Sequence, residues 1–167
     1  MRKKTIDLAK CTGCKNCELG CMVAHSPDES LQQAYKDGGI AAIRSRCRVA
    51  LTGDGQRVPL HCNHCEDPQC LRACMSGALS KGDNGYVVCN TDICVGCYMC
   101  VMSCPAGAAL PATSGRRRLL KCDGCGSRDS MACVAACPTG CLKAEETDAV
   151  GDVVEYINQP DTGEGRG

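Results

Sequence analysis

The sequence predicts an α+β fold in which short helices and small β-hairpins wrap around metal instead of around an aromatic core. Three observations predict it. Cysteine supplies 19 of 167 residues, about 11%, above the roughly 8–10% at which a short secreted chain reads as a disulfide scaffold. Phe and Trp are absent and Tyr35, Tyr86, Tyr98 and Tyr156 are the only aromatic residues of their kind, so an ordinary aromatic core is not available. Sixteen of the cysteines fall into four similar runs.

The compartment signals decide how to read those cysteines. The start, "MRKKTIDLAKCTGC", is basic but holds no apolar run of roughly 7–15 residues and no small-residue cleavage site, which predicts a cytoplasmic protein. No stretch approaches the ~20 apolar residues of a bilayer span, so direct membrane insertion is not expected. Thiols kept reduced and packed this densely point to metal.

Taken in order, motif I is Cys11, Cys14, Cys17 and Cys21, and motif II is Cys62, Cys65, Cys70 and Cys74. Motif III is Cys94, Cys97, Cys100 and Cys104, and motif IV is Cys122, Cys125, Cys133 and Cys137. Motif III, "CVGCYMCVMSCP", is the bacterial ferredoxin run C-x2-C-x2-C-x3-C-P. There three closely spaced thiolates grip one face of a 4Fe-4S cube while the fourth reaches a second cluster. Thiolate suits these soft irons. Zinc also accepts four sulfurs, but its sites use two C-x2-4-C pairs separated by a longer loop. Zinc ribbons and a disulfide framework are the alternatives this reading displaces.

The remaining elements follow the chain. Residues 28–61 form an insertion. "DESLQQAYKDG" has an acidic start, helix formers and a closing glycine, which predicts a short helix; "IRSRCRVALTGDGQRVPLHC" predicts a hairpin around Gly53-Asp54-Gly55. The insertion reads equally as a docking surface or as a lid over the outer clusters. Residues 62–104 hold motifs II and III, with the turn Gly82-Asp83-Asn84-Gly85 of a second hairpin between them, and have the layout of an inner two-cluster ferredoxin. Motifs I and IV, in residues 1–27 plus 105–145, are the remaining pair. They can exchange fourth cysteines only if the chain ends meet beside the inner unit, so the predicted architecture is two nested bacterial-ferredoxin-like units. The tail, residues 146–167, has one apolar patch, "VVEYI", predicted to pack as an edge strand or to reach a partner.

From about residue 5 to residue 145 the chain resembles the four-cluster iron–sulfur subunits that accompany the catalytic subunits of dimethyl sulfoxide reductase, formate dehydrogenase, hydrogenase, carbon monoxide dehydrogenase and tungsten aldehyde oxidoreductases. "CTGCKNCELGC", "HCNHCEDPQCLRAC", "CVGCYMCVMSCP" and "CDGCGSRDSMACVAACPTG" carry the likeness. The resemblance implies four 4Fe-4S clusters. Cys11, Cys14 and Cys17 would share one with Cys137, and Cys122, Cys125 and Cys133 one with Cys21. Cys62, Cys65 and Cys70 would join Cys104, and Cys94, Cys97 and Cys100 would join Cys74. Two departures put a turn in doubt more than a cluster: Met22 and Met75 follow the last cysteines of motifs I and II, where the ferredoxin pattern has proline. The compact span between motifs III and IV is similar to the soluble subunits of this kind.

Cys47, Cys89 and Cys141 are left over and read as small buried residues near clusters. His61 and His64 flank Cys62 and read as N–H donors to sulfur before they read as ligands. Arg116, Arg117 and Arg118 read as solvated or charge-balancing, since four thiolate-ligated clusters bring roughly −8. Equal counts of Lys+Arg and Asp+Glu, 19 each, give no basis for nucleic-acid binding.

Fully ligated clusters leave no open iron for substrate, and the chain shows no GxGxxG loop or P-loop. The expected function is non-catalytic: an electron-transfer subunit of a cytosolic oxidoreductase complex. It would conduct single electrons between a catalytic tungsten, molybdenum or nickel subunit, oxidising an aldehyde, CO, formate or hydrogen, and a flavin subunit, hydrogenase or ferredoxin. Self-association into longer electron-conducting assemblies is a further partner expectation. A free polyferredoxin carrier is the alternative, and a zinc-ribbon interaction module a third.

Overall fold

The computed structural model describes residues 2–38, 43–112, 116–146 and 154–157. Its elements are β1 (Arg2–Asp7), α1 (Asn16–Ala24), α2 (Leu31–Gly38), β2 (Arg48–Leu51), β3 (Arg57–Leu60), α3 (Gln69–Arg72), β4 (Leu79–Lys81) and β5 (Val87–Cys89). They continue with α4 (Met99–Met102), β6 (Leu110–Pro111), β7 (Leu119–Leu120), α5 (Ala132–Ala135), β8 (Leu142–Glu146) and β9 (Val154–Ile157). The class is α+β, as expected. Among the described residues no helix is long and apolar enough to cross a membrane.

Each cysteine run folds as a loop followed by a helix that carries the third cysteine: Cys17 on α1, Cys70 on α3, Cys100 on α4 and Cys133 on α5. After α3, α4 and α5 the chain turns through Gly77, Gly107 and Gly140, at φ +67°, +56° and +64°. Left-handed backbone of this kind carries little cost for glycine and stops a helix. Motif II therefore keeps its turn with Met75 in place of proline, and the Gly77 N–H donates to the Cys74 carbonyl at 3.3 Å. Motif I has no such glycine. Met22 continues α1, which runs to Ala24.

Both predicted hairpins are present. β2 pairs with β3 antiparallel, Arg48 opposite Leu60, and β4 with β5, Leu79 opposite Cys89. A third small ladder joins β6 to β7. The predicted helix of the insertion is α2, preceded by a 3-10 turn at Pro27–Glu29.

The chain ends meet. β1 is the middle strand of a three-stranded sheet, antiparallel to β8 and parallel to β9, with Ile6 opposite Leu142 and Tyr156. Of the two roles expected of the tail, edge strand or partner contact, β9 takes the first; the other tail residues beyond Glu146 lie outside the described residues. Beneath this sheet α1 packs on α5, and the approach is close at Gly20, where a Cβ would fall 2.6 Å from the Ala136 Cβ.

Two cores result. Ile6, Leu8, Met131 and Leu142 pack with Cys17, Cys21, Cys47, Cys133 and Cys141; Ala78, Leu79, Val87, Ala109 and Leu119 pack with Cys94 and Cys100. Tyr86 of the β4–β5 segment enters the first core, and its hydroxyl meets the backbone of Arg2, accepting from N–H at 3.0 Å and donating to the carbonyl at 3.1 Å.

Candidate metal centres

In motifs I, III and IV the residue before the second cysteine is a glycine in left-handed conformation, Gly13, Gly96 and Gly124 at φ +71°, +66° and +71°. This curl aims successive backbone N–H groups and Sγ atoms at a common point. The Gly124 N–H donates to Cys122 Sγ at 3.4 Å, and the Arg46 N–H to Cys21 Sγ at 3.3 Å.

The sixteen candidate cysteines gather into four sets, each mixing three from one motif with one from another. Cys11, Cys14, Cys17 and Cys137 line one small cavity. Cys62, Cys65, Cys70 and Cys104 line a second, and Cys74, Cys94, Cys97 and Cys100 a third. Cys122 and Cys133 interact with each other, and Cys133 with Cys21 and Cys125, which places the fourth set together. Neighbouring sets lie within electrostatic reach of one another. Cys70 is close enough to act on Cys100, Cys62 on Cys122, and Cys17 and Cys21 share α1 with Cys47 hydrogen-bonded to both. The sets thus form a row. Its ends expose Cys14 and Cys97.

The donor chemistry fits 4Fe-4S clusters. Every set presents four sulfurs, and no carboxylate among the described residues lines the three cavities. Burial pushes the Cys122 thiol up to about 12 and the Cys100 thiol up to about 11, so iron has to displace these protons on binding. His25, Asp123 and Cys125 also place donor atoms within 4.8 Å of one another. Two of those three are already paired: His25 Nε2 meets Asp123 at 3.2 Å, and Arg46 pairs with the same carboxylate. Hydrogen bonds to Asp123 and Cys21 raise His25 to about 10, so it is an imidazolium. Burial would raise the Asp123 carboxyl, but hydrogen bonds from His25 and the Cys125 N–H hold it well below the usual range.

The leftover cysteines pack as small residues. Cys141 holds the place after motif IV that buried Ala78 and Ala108 hold after motifs II and III. Cys47 is buried between Cys17 and Cys21, and Cys89 is half-buried beside Cys94. Residues of the insertion cover sulfur: Val49 and Pro59 line the Cys11 cavity, as a lid would. Arg116 and Arg117 are exposed, and the Arg117 guanidinium lies 5.4 Å from the Tyr98 ring.

Sequence reasoning passed over Lys4 and Lys121, both buried. Burial would lower Lys4, but Cys133, Cys122 and Cys47 outweigh it and raise the ammonium, which also hydrogen-bonds Cys133. Lys121 Nζ donates to the Val87 carbonyl at 2.6 Å and to the Cys122 carbonyl at 3.1 Å. No motif marks either lysine. The repeated C-x-G-C spelling was the available signal for the glycines.

Loops of this type holding sulfur-only donor sets define an iron–sulfur protein. The 4Fe-4S dicluster domain matches residues 53–147. The B subunit of anaerobic dimethyl sulfoxide reductase from Escherichia coli (strain K12) is 36% identical over 143 residues, covering 82% of this protein and 69% of its own length. The subunit of the same name from Haemophilus influenzae is 36% identical over 156 residues, covering 81% and 69%. Electron transport protein HydN of Escherichia coli (strain K12) is 32% identical over 151 residues, covering 81% and 83%. The protein belongs to this family of 4Fe-4S iron–sulfur subunits, and 4Fe-4S clusters are its cofactors.

Proposed function

We propose that this protein is a non-catalytic, electron-conducting subunit of a cytoplasmic oxidoreductase complex. The observation that carries the reading is the row of four sulfur sets running between exposed Cys14 and exposed Cys97. In this reading Cys11, Cys14, Cys17 and Cys137 hold one cluster, and Cys21, Cys122, Cys125 and Cys133 the next. Cys62, Cys65, Cys70 and Cys104 hold the third, and Cys74, Cys94, Cys97 and Cys100 the last. Residues 1–27 plus 105–145 then make the outer unit and 62–104 the inner one, with Ala109 and Leu119 packing across into the core of the inner unit and Tyr86 into that of the outer one. A cluster held by four thiolates supplies one-electron storage and no open coordination position. The protein's own residues cover, in part or in full, every candidate sulfur except those of Cys14 and Cys97, and keep neighbouring sets close. Substrate chemistry falls to a partner.

The Cys97 end carries a surface for such a partner. Met75 and Met102 are each 83% exposed, Val95 64%, and Ile93 and Met99 about half. Exposed apolar residues that lie close in sequence to the cysteines of one set are candidates for an interaction site, and methionine adapts to the shape of what it meets. A catalytic subunit bearing tungsten, molybdenum or nickel at one end and a flavin subunit, hydrogenase or ferredoxin at the other would complete the circuit.

Anaerobic purification from the native source tests this reading. The expected product is a brown complex with about sixteen irons per chain and a stoichiometric partner bearing tungsten, molybdenum, nickel or flavin. A lone brown monomer would instead establish a diffusing polyferredoxin.

A further inference from the structure

Motif II breaks the glycine rule of the other three. Where they have Gly13, Gly96 and Gly124, it has His64, at φ +47°. Left-handed backbone strains any residue with a Cβ, and a strained residue kept at a cofactor loop points to a task for its side chain. The ring is 2% exposed, packs edge-on against Tyr86 at 4.9 Å, and lines the cavity of Cys62, Cys65, Cys70 and Cys104.

Its hydrogen bonds fix the tautomer. Nδ1 accepts from the Val87 N–H at 3.0 Å and faces Lys121 Nζ at 3.5 Å. An amide N–H and an ammonium are donors only, so Nδ1 carries a lone pair and the ring proton sits on Nε2. That Nε2 is buried and meets no hydrogen-bond partner among the described residues. His61 repeats the arrangement. It is 1% exposed, Nδ1 lies 3.0 Å from Lys4 Nζ, and Nε2 is again buried without a partner among the described residues. Both Lys–His pairs span the same sequence separation, 57 residues, running His64 to Lys121 and Lys4 to His61. Lys4 faces Cys133, while Lys121 bonds the Cys122 carbonyl and Val87. The four side chains therefore form a buried seam where the Cys62 set meets the Cys122 set.

Building on the ligand assignment proposed above, we propose that His61 and His64 donate Nε2–H hydrogen bonds to the inorganic sulfides of the two clusters in the middle of the row. Lys4 and Lys121 orient the imidazoles and add two buried positive charges, so the middle pair accepts an electron more readily than the pair at the ends. Each reduction there adds one electron and no proton, because the imidazole proton stays on Nε2. The middle of the row is a well in which electrons collect between the two ends.

His64→Gly is the informative variant, since it installs the residue that the other three loops use and removes the backbone strain. His61→Gln is its companion. In the cluster-loaded protein, EPR-monitored redox titration should show each variant making the reduction equilibrium of one cluster about tenfold less favourable, about 59 mV for one electron. The two responding clusters should be the two of highest potential, with iron content unchanged. In the unaltered protein labelled with 15N-histidine, pulsed EPR of the reduced clusters should show nitrogen hyperfine coupling. Unmoved potentials, a response from the low-potential pair, or no coupling in the unaltered protein would each overturn the inference while leaving the ligand assignment standing. An unaltered protein with far fewer than about sixteen irons would overturn the assignment and the inference together.

Discussion

Gly96 shows how much one missing Cβ can decide. A Cβ there would fall 2.5 Å from the Arg117 carbonyl oxygen, and the backbone sits at φ +66°. Left-handed strain costs about 1–2 kcal/mol for a residue with a side chain, and the backbone clash adds to it. Gly96→Ala should lower the anaerobic thermal midpoint by several degrees and release iron from the Cys97 end first. Gly53, in the β2–β3 turn, has nothing within 4 Å of its Cβ position. Gly53→Ala should leave the midpoint within the scatter of ordinary surface substitutions, about 0.5 kcal/mol. A midpoint shared by both variants would defeat the contrast. At this scale most of the site was legible. All sixteen candidate ligands are spelled by spacing alone, because a C-x2-C loop and one helical turn are local structures. Lys4 and Lys121 were not legible, since a lysine looks like a surface residue until the fold shows what it faces.

Among the elements, β1 has the most depending on it. Ile6 is fully buried and stands opposite Leu142 on one side and Tyr156 on the other. Truncating a buried isoleucine to alanine costs about 2–5 kcal/mol. Ile6→Ala should therefore speed loss of the visible iron–sulfur absorbance on mild heating more than tenfold over the unaltered protein, whereas an equal rate would show that the sheet contributes little. The hairpins at Gly53–Gly55 and Gly82–Gly85 could be read from turn chemistry, which acts within a few residues. β1 could not. "RKKTID" has too few apolar residues to read as a strand, and its partners lie at the far end of the sequence. The edge strand β9 was anticipated, but its parallel pairing with β1 has no local spelling.

For the whole molecule, half of the ten buried residues in the larger core are cysteines. A core of this kind depends on what its sulfurs bind, because metal binding supplies folding free energy that small aliphatic side chains cannot. Removing iron with a chelator under oxidant should abolish most of the far-ultraviolet circular dichroism and swell the protein on size-exclusion chromatography. A compact apoprotein with native dichroism would refute this dependence. The pairing of β1 with β8 and β9 also has a meaning in time. The ribosome makes residues 2–7 well before their partners, 142–146 and 154–157. At about 5–20 residues per second the first strand waits on the order of ten seconds for a neighbour. The β4–β5 hairpin closes on itself and needs no such wait. Order of synthesis and order of assembly therefore run opposite: β1, made before either of its neighbours, completes its sheet only once both have been made.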